Sequence, residues 1–211
     1  MIEAMDAREE AGRTRGYDLR RRLEAMDRTR RSVLQAARRQ LEEQGYRQMT
    51  MASLAAESGI TRQTIHNLFG SKRGVLEALF DTMALEGGME RMRDVMRQPA
   101  DPRAMLRALV PVFCRFWETH RLLFRRILGI GAIDPDFGEI LEARNQRRHR
   151  IALHIAMSAM SGRSRRNAET AAASLAALTS FEFYDELVRY GQSAADAEAA
   201  ILELALAVLN P

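Results

Sequence analysis

Apolar residues recur at intervals of three and four along most of the chain, which is the spacing of one face of an α-helix. Between residues 27 and 44, for example, Val33, Leu34, Ala37 and Leu41 fall on one face and arginines on the other. Runs of β-branched residues are absent from the sequence, and it contains only five prolines. The pattern therefore predicts an all-α protein of about nine helices.

Glycine, proline and helix-capping residues divide this pattern into segments. Helices are predicted over residues 27–44, 51–57, 61–67, 71–97, 102–119, 120–131, 135–161, 164–190 and 194–209. Residues 1–26 are polar and contain Gly12 and Gly16, which favours a flexible extension. We expect a three-helix domain at residues 27–73 and a larger helical domain at 74–211. Gly87-Gly88 lies inside the fourth predicted helix and predicts a bend point, because glycine costs about 1 kcal/mol in a helix.

Residues 50–72 have the pattern of a helix-turn-helix, in which two short helices cross at a steep angle. Thr50 and Thr61 are N-cap residues, and Gly59 fits a left-handed position in the turn. Ile65 is the apolar residue that would anchor the second helix to the core. The outward positions of that helix carry hydrogen-bonding side chains: Thr61, Arg62, Gln63, Thr64, His66 and Asn67. No acidic residue occurs between Glu57 and Glu77, as expected of a surface that lies against phosphates.

Positive charge is concentrated around this motif. The formal net charge of the chain is +4, but residues 28–76 alone carry nine basic and three acidic residues. Both flanking segments carry slightly more acidic than basic residues. This distribution is typical of a nucleic-acid-binding module attached to a nearly neutral body.

The same stretch resembles the tetracycline-repressor (TetR) family of transcriptional regulators, from residue 28 to about residue 79. The resemblance rests on Ala36-Ala37, Gly45-Tyr46, Thr50, Leu54-Ala55, Gly59-Ile60, Thr64-Ile65-His66, Phe69, Ser71-Lys72 and Val75-Leu76. His66 departs from the family pattern, which usually has tyrosine at this position. The resemblance implies a homodimer that inserts its two third helices into successive major grooves of double-stranded DNA. It also implies a C-terminal domain that binds a small-molecule effector, dimerises and releases the DNA.

Arg62 and Gln63 begin the third helix, where side chains reach base edges, so we predict that they read guanine and adenine. Thr50, Thr61, Thr64, His66 and Lys72 suit phosphate contacts, and Asn67 completes the predicted DNA-binding set. Simpler interpretations remain for several of these residues. Thr50 is equally explained as a helix cap, and Arg62 and Gln63 as solvated surface residues. Lys72, the only lysine in the chain, opposes the dipole at the start of a helix, which favours a nearby phosphate.

The C-terminal half contains an aromatic-rich group that we predict to line an effector cavity, since binding sites combine aromatic walls with a few polar groups. Its members are Met105, Phe113, Phe116, Trp117, His120, Phe124, Met157, Phe181 and Tyr184. Ordinary core packing is the competing interpretation for each residue. Alanines in the last two predicted helices, among them Ala171, Ala172 and Ala199, predict close helix packing in a four-helix dimer interface. Packing within one subunit would leave the same pattern.

Other classes of function find less support in the sequence. A helical-bundle enzyme would show paired Glu-x-x-His motifs or metal-ligand spacings, which are absent from the sequence, and we expect no cofactor and no metal. A ligand-independent DNA-binding protein or activator remains an alternative. Cys114 lies in an apolar run and is predicted to be a core residue. No apolar run is long enough to span a membrane, so we expect no membrane partner and a cytoplasmic protein.

Overall fold

The computed structural model describes the backbone of residues 2–97 and 101–210, and the side chains of residues 20–92, 95–96 and 101–210. Within that part of the chain the regular structure consists of eleven α-helices. They are α1 (Ile2–Glu43), α2 (Met51–Ser58), α3 (Arg62–Phe69), α4 (Lys72–Glu86), α5 (Arg91–Arg97), α6 (Pro102–Thr119), α7 (Arg121–Ile133), α8 (Pro135–Ala159), α9 (Arg165–Leu178), α10 (Phe181–Arg189) and α11 (Ala194–Val208). The predicted all-α class is confirmed.

The chain divides into two compact units, with the boundary between Ala78 and Leu79 inside α4. In the first unit, α1 packs on α2 and α2 packs on α3. The core of this unit includes the apolar positions that the helical spacing identified in α1, together with Leu54 from α2, Ile65 from α3, and Val75 and Leu76 from α4. Each of these short helices therefore depends on a small number of buried contacts.

The first helix begins at Ile2, well before the predicted start at residue 27. No proline interrupts residues 2–26, and two glycines at about 1 kcal/mol each are not enough to end a helix rich in Ala, Arg, Glu and Leu. The side chains from Arg20 to Arg28 are exposed, including Leu23 and Met26 at half exposure. This part of α1 therefore rests on helix propensity, whereas the part after it is packed.

In the second unit, α8 packs along α9, α6 along α11, and α7 against α8. Asp185 of α10 ties that helix to α7 through Arg121 and Arg125, with the closest oxygen–nitrogen distances at 2.7 and 2.9 Å. Burial by itself would raise the pKa of Asp185, but the hydrogen bonds from the two arginines lower it below its ordinary value. Cys114 is buried in α6, as predicted, and desolvation raises the pKa of its thiol to about 12.

The fourth predicted helix is divided in the structure. It ends at Glu86, and a turn that includes Gly88 at φ 74° separates α4 from α5. Gly87 is needed for a different reason: a Cβ atom there would lie 2.4 Å from Cδ2 of Phe116 in α6. The glycine pair is therefore a helix end and a close packing contact, and the prediction of a bend within one continuous helix was wrong.

The predicted helix over residues 164–190 is also two helices, α9 and α10. Ser180 caps α10 by accepting a hydrogen bond from the backbone N–H of Phe183 at 3.1 Å. The carbonyl oxygen of Thr179, which is freed at the break, accepts a hydrogen bond from Nε1 of Trp117 at 3.1 Å. Hydroxyl side chains compete with the helical backbone, and here a contact distant in sequence stabilises the break.

Candidate nucleic-acid interface

The helix α2 begins at a complete capping box. Thr50 Oγ1 accepts from the N–H of Ser53 at 3.0 Å, and Ser53 Oγ accepts from the N–H of Thr50 at 2.8 Å. The helix ends at Gly59, whose φ of 71° is the predicted left-handed conformation and whose N–H reaches the carbonyl of Ala55. These local interactions fix where α2 starts and stops and so set the chain on course for α3.

The helix α3 presents a polar face around one buried anchor. Thr61 caps it, with Oγ1 accepting from the N–H of Thr64 at 3.1 Å. Ile65 is fully buried. The exposed members of the predicted DNA-binding set on this helix and its cap are Thr61, Arg62, Gln63, His66 and Asn67, and Thr64 is half-buried. The geometry therefore brings the predicted recognition residues onto one accessible, acid-free surface.

Two pairs of these residues already contact each other. Nε2 of Gln63 donates to Oδ1 of Asn67 at 2.9 Å, and the hydroxyls of Thr61 and Thr64 lie 2.8 Å apart. The Gln63 amide uses one of its N–H donors on Asn67. Recognition of a base by Gln63 would therefore use its remaining donor and its carbonyl oxygen, or would require the bond to Asn67 to break. Arg62, which is exposed at the first position of α3, is the cationic member of the set.

Lys72 is held within the first unit. Its Nζ donates to the carbonyl oxygen of Tyr46 at 2.5 Å and lies 3.4 Å from the centroid of the Tyr46 ring. The sequence favoured a nearby phosphate as the reason for a cation at this helix start. The contact with Tyr46 supplies a structural reason, because it joins the start of α4 to the loop between α1 and α2.

We predict that Lys72→Met lowers the free energy of unfolding by about 1–3 kcal/mol, since a charged hydrogen bond and a cation–π contact are both lost. Urea unfolding followed by circular dichroism measures this change. Arg73→Met is the matched control, because Arg73 is exposed and pairs across one helical turn with Glu77, at 3.1 Å between Nε and Oε1. Equal stability of the wild type and Lys72→Met would show that the Tyr46 contact contributes nothing.

A polar network that sequence reasoning did not identify joins α1 to α2. Gln40 is buried, its Nε2 donates to Oε2 of Glu57 at 2.7 Å, and its Oε1 accepts from Ser53 Oγ at 2.8 Å. Arg39 donates to the other oxygen of Glu57 at 2.7 Å. The hydrogen bonds from Gln40 and Arg39 lower the pKa of Glu57, so its carboxylate stays ionised at neutral pH. Glu57 is the acidic residue nearest in sequence to the polar face of α3, and its negative charge is paired with Arg39 of α1.

The aromatic group of the second unit forms a packed cluster. Trp117 contacts Phe116, Phe124 and Phe181 with ring centroids 4.8, 4.8 and 5.7 Å apart, and Phe113 at 6.5 Å. Met105 and Tyr184 are also buried, and Tyr184 donates to Oε2 of Glu118 at 2.7 Å. These rings fill the space between them, in contrast to the expected arrangement around a cavity.

Two further members of the predicted effector set lie differently. His120 is buried, and its Nε2 lies 3.1 Å from the carbonyl oxygen of Met83. The ring therefore connects the junction of α6 and α7 to α4. Met157 is 52% exposed and stands outside the cluster. Its position on α8 turns it toward solvent, contrary to the expectation that it would face Trp117 and its neighbours.

Open volume lies elsewhere in the second unit. A groove of about 550 Å³ runs between α8 and α9, and a void of about 10 Å³ lies among α6, α8 and α9 with Phe113 on its wall. Arg148 lines both. The sequence did not single out Arg148, because it lies in an arginine-rich helical segment where spacing cannot distinguish a buried arginine from a solvated one.

Within the part of the chain that the structure describes, no helix is both long and apolar enough to cross a membrane. The described residues also contain no group of three or more His, Cys, Asp or Glu side chains placed to hold a metal ion.

Comparison with known proteins finds a family match within residues 33–79 and similarity to one curated regulator. Residues 33–79 match the family described as bacterial regulatory proteins, tetR family. Over 108 residues the chain is 28% identical to the HTH-type transcriptional regulator EthR of Mycolicibacterium smegmatis. That alignment covers 51% of this chain and spans half the length of EthR.

Solved structures resemble the fold over most of the chain. A TetR-like transcriptional regulator from Rhodococcus sp. RHA1 is similar with a TM-score of 0.65 and 20% identity, covering 86% of this chain and 96% of that one. A TetR transcription regulator from Haloarcula marismortui is similar with a TM-score of 0.62 and 16% identity, covering 87% and 97%. At these identities the similarity concerns the fold.

Proposed function

We propose that this chain, whose residues 33–79 match the tetR family of bacterial regulatory proteins, is a repressor that binds a palindromic DNA operator as a homodimer and is released by a small effector. The observation that carries the proposal is the exposed polar face of α3, with Arg62 and Gln63 at its first two positions. An α-helix fits the major groove, where arginine pairs with guanine and glutamine with adenine. In this proposal Thr50, Thr61, Thr64, His66 and Lys72 contact phosphates and set the register of α3 on the DNA.

A dimer is needed because one helix of eight residues reads too few base pairs for a specific site. We assign the dimer interface to α9 and α11. Ala171 and Ala172 are buried within the chain, but Ala173 and Ala199 are exposed, as is Leu204 at 44%. Small exposed residues beside a large apolar one permit close approach of a second copy, and two helices from each subunit make a four-helix interface.

The effector acts in this proposal by changing the position of α4. This helix begins at Lys72, directly after the reading head, and its second half lies in the second unit. There Nη2 of Arg144 on α8 donates to Oδ1 of Asp81 at 2.9 Å, and the guanidinium carbon lies 4.8 Å from the Phe80 ring. A ligand that moves α8 would pull on α4 through these contacts. It releases DNA only to the extent that it binds the DNA-free conformation more tightly.

The proposed dimer is tested by first recovering genomic DNA fragments that the protein binds. The mass of each protein–DNA complex then gives the number of chains on a fragment. We expect two chains on each fragment and footprints with centres about 34 Å apart along the DNA axis. One chain on each fragment would contradict the proposal.

A reporter gene placed behind a recovered fragment tests the sign of regulation. Expression should fall when the chain is present, and Arg62→Ala should restore it. Increased expression would favour the activator alternative over a repressor.

In this proposal the chain has no enzymatic activity and works in the cytoplasm. The competing class is a helical-bundle enzyme. Stoichiometric iron, manganese or zinc in the purified protein would favour that class, whereas a metal-free protein that binds DNA supports the regulator.

A further inference from the structure

The groove between α8 and α9 is the larger of the two open volumes described above, and polar side chains line its α8 wall. Side chains of α8 form one wall, and Ala176, Ala177 and Ser180 form the other. The α8 wall consists of Glu142, Asn145, Gln146, Arg148, His149 and Arg150. About 550 Å³ is within the range of small-molecule sites, which span roughly 300–1,000 Å³. Two arginines and one glutamate give the groove a net positive lining.

Arg148 lines this groove, and its hydrogen-bonding capacity is not fully used by the protein. Among the described residues, its Nε is the one buried side-chain nitrogen or oxygen atom without a hydrogen-bond partner. Burial lowers the pKa of Arg148, and the charge of Glu182 opposes that change. Arginine remains charged in proteins, so Arg148 is a partly buried cation whose Nε donor is buried and unused. Such an atom calls for a partner, because buried polar groups are normally hydrogen-bonded.

The surroundings of Arg148 restrict what that partner is. Its guanidinium carbon lies 6.0 Å from the centroid of the Trp117 ring, so one side of the group faces the aromatic cluster. The void on its inner side is lined by Leu106, Leu109 and Ile155 among others and holds only about 10 Å³, too little for a ligand body. The ligand body must therefore lie in the groove, along Ala176 and Ala177, with its charged end toward Arg148.

We propose that the groove between α8 and α9 binds an organic carboxylate whose charged end pairs with Arg148. The planar guanidinium can donate two parallel hydrogen bonds to a carboxylate, which suits an arginine with no ion pair to a protein carboxylate among the described residues. The inference rests on the proposed function, since it names the chemical class of the effector. It also gives that effector a route to α4, because Arg144 lies one helical turn before Arg148 and contacts Asp81.

Octanoate and its neutral isostere octanamide are suitable probes, with binding followed by the fluorescence of Trp117, the only tryptophan in the chain. Wild-type protein should bind octanoate about tenfold or more tightly than octanamide, as expected for a charge-assisted bidentate pair. Arg148→Met and Arg148→Gln should remove this preference and leave octanamide binding within about twofold. Arg147→Met is the matched control, because Arg147 is an exposed neighbour on α8 that does not line the groove, and it should keep the preference.

Equal affinity for the two probes, no octanoate binding below its micelle concentration, or an unchanged preference in both Arg148 variants would overturn the inference. Thermal unfolding of each variant separates loss of the site from loss of the fold. DNA binding is measured in parallel. Wild-type protein that binds DNA but not octanoate would refute the carboxylate site alone. Protein that binds octanoate but no DNA would refute the proposed function and leave the site intact.

Discussion

Ile65→Ala should abolish specific and nonspecific DNA binding together, because it removes the anchor of α3. Among the described residues of α3, Ile65 is the one that is buried. Truncating a buried isoleucine to alanine costs about 2–5 kcal/mol. A helix of eight residues is too short to persist without packing, so most of that loss falls on α3 itself.

Hydrogen exchange of the amides in α3 and urea unfolding measure this effect. Amides of residues 62–69 should lose protection in Ile65→Ala. The control Ile65→Val should cost only about 0.5–1.5 kcal/mol and retain DNA binding. Unchanged protection of α3 in Ile65→Ala would mean that other contacts hold the helix, and the argument from a single anchor would fail.

Arg62→Ala should weaken binding to the preferred DNA site far more than binding to random DNA. The side chain is exposed at the first position of α3, and in the proposed complex this position faces the base edges. Loss of a bidentate arginine–guanine pair costs about 1–3 kcal/mol in discrimination for each half-site. Two half-sites in a dimer double this cost, whereas nonspecific binding loses only one phosphate-attracting charge from each subunit.

Titration of both DNAs at two salt concentrations tests this prediction. Arg73→Ala removes the same charge from α4, outside the recognition helix, and should reduce both affinities by similar factors. Similar losses on the preferred site and on random DNA for Arg62→Ala would show that Arg62 contacts phosphates alone.

The helix-turn-helix was predictable because its boundaries are set by local chemistry. Thr50, Gly59 and Thr61 perform the capping and turn roles that their residue types favour, and all three positions are confirmed. The buried face of α1 followed from its spacing in the same way. Where short-range interactions determine the structure, the sequence contains the information directly.

The features that the sequence did not reveal depend on distant contacts. The break between α9 and α10 is stabilised by Trp117, which is 62 residues away from Thr179. Gly87 is required by Phe116, and the partner of Lys72 is Tyr46 in a loop before α2. The sequence analysis placed the start of α1 too late for another reason. Helix propensities that are weak at each residue add up over the long stretch from Ile2, without any single residue that marks the helix start.

The location of an effector site also depends on contacts between residues that are distant in sequence. The aromatic residues around Trp117 were reasonable candidates, yet their rings are close enough to pack on one another. Whether aromatic side chains enclose a cavity or fill it depends on distances of a few ångströms, which spacing along a helix does not encode. The groove beside Arg148 is lined by side chains of both α8 and α9, and the pairing of these two helices is a tertiary property.

Selection of binding sites from a random DNA pool, followed by sequencing, tests whether the exposed face of α3 reads DNA. We predict an enriched inverted repeat whose half-sites are centred about 10 base pairs apart along the DNA. It further predicts that Arg62→Ala loses one base preference at symmetric positions in both halves. A pool that shows no enriched sequence, or the same preferences with Arg62→Ala, would contradict the claim that the exposed face of α3 reads DNA.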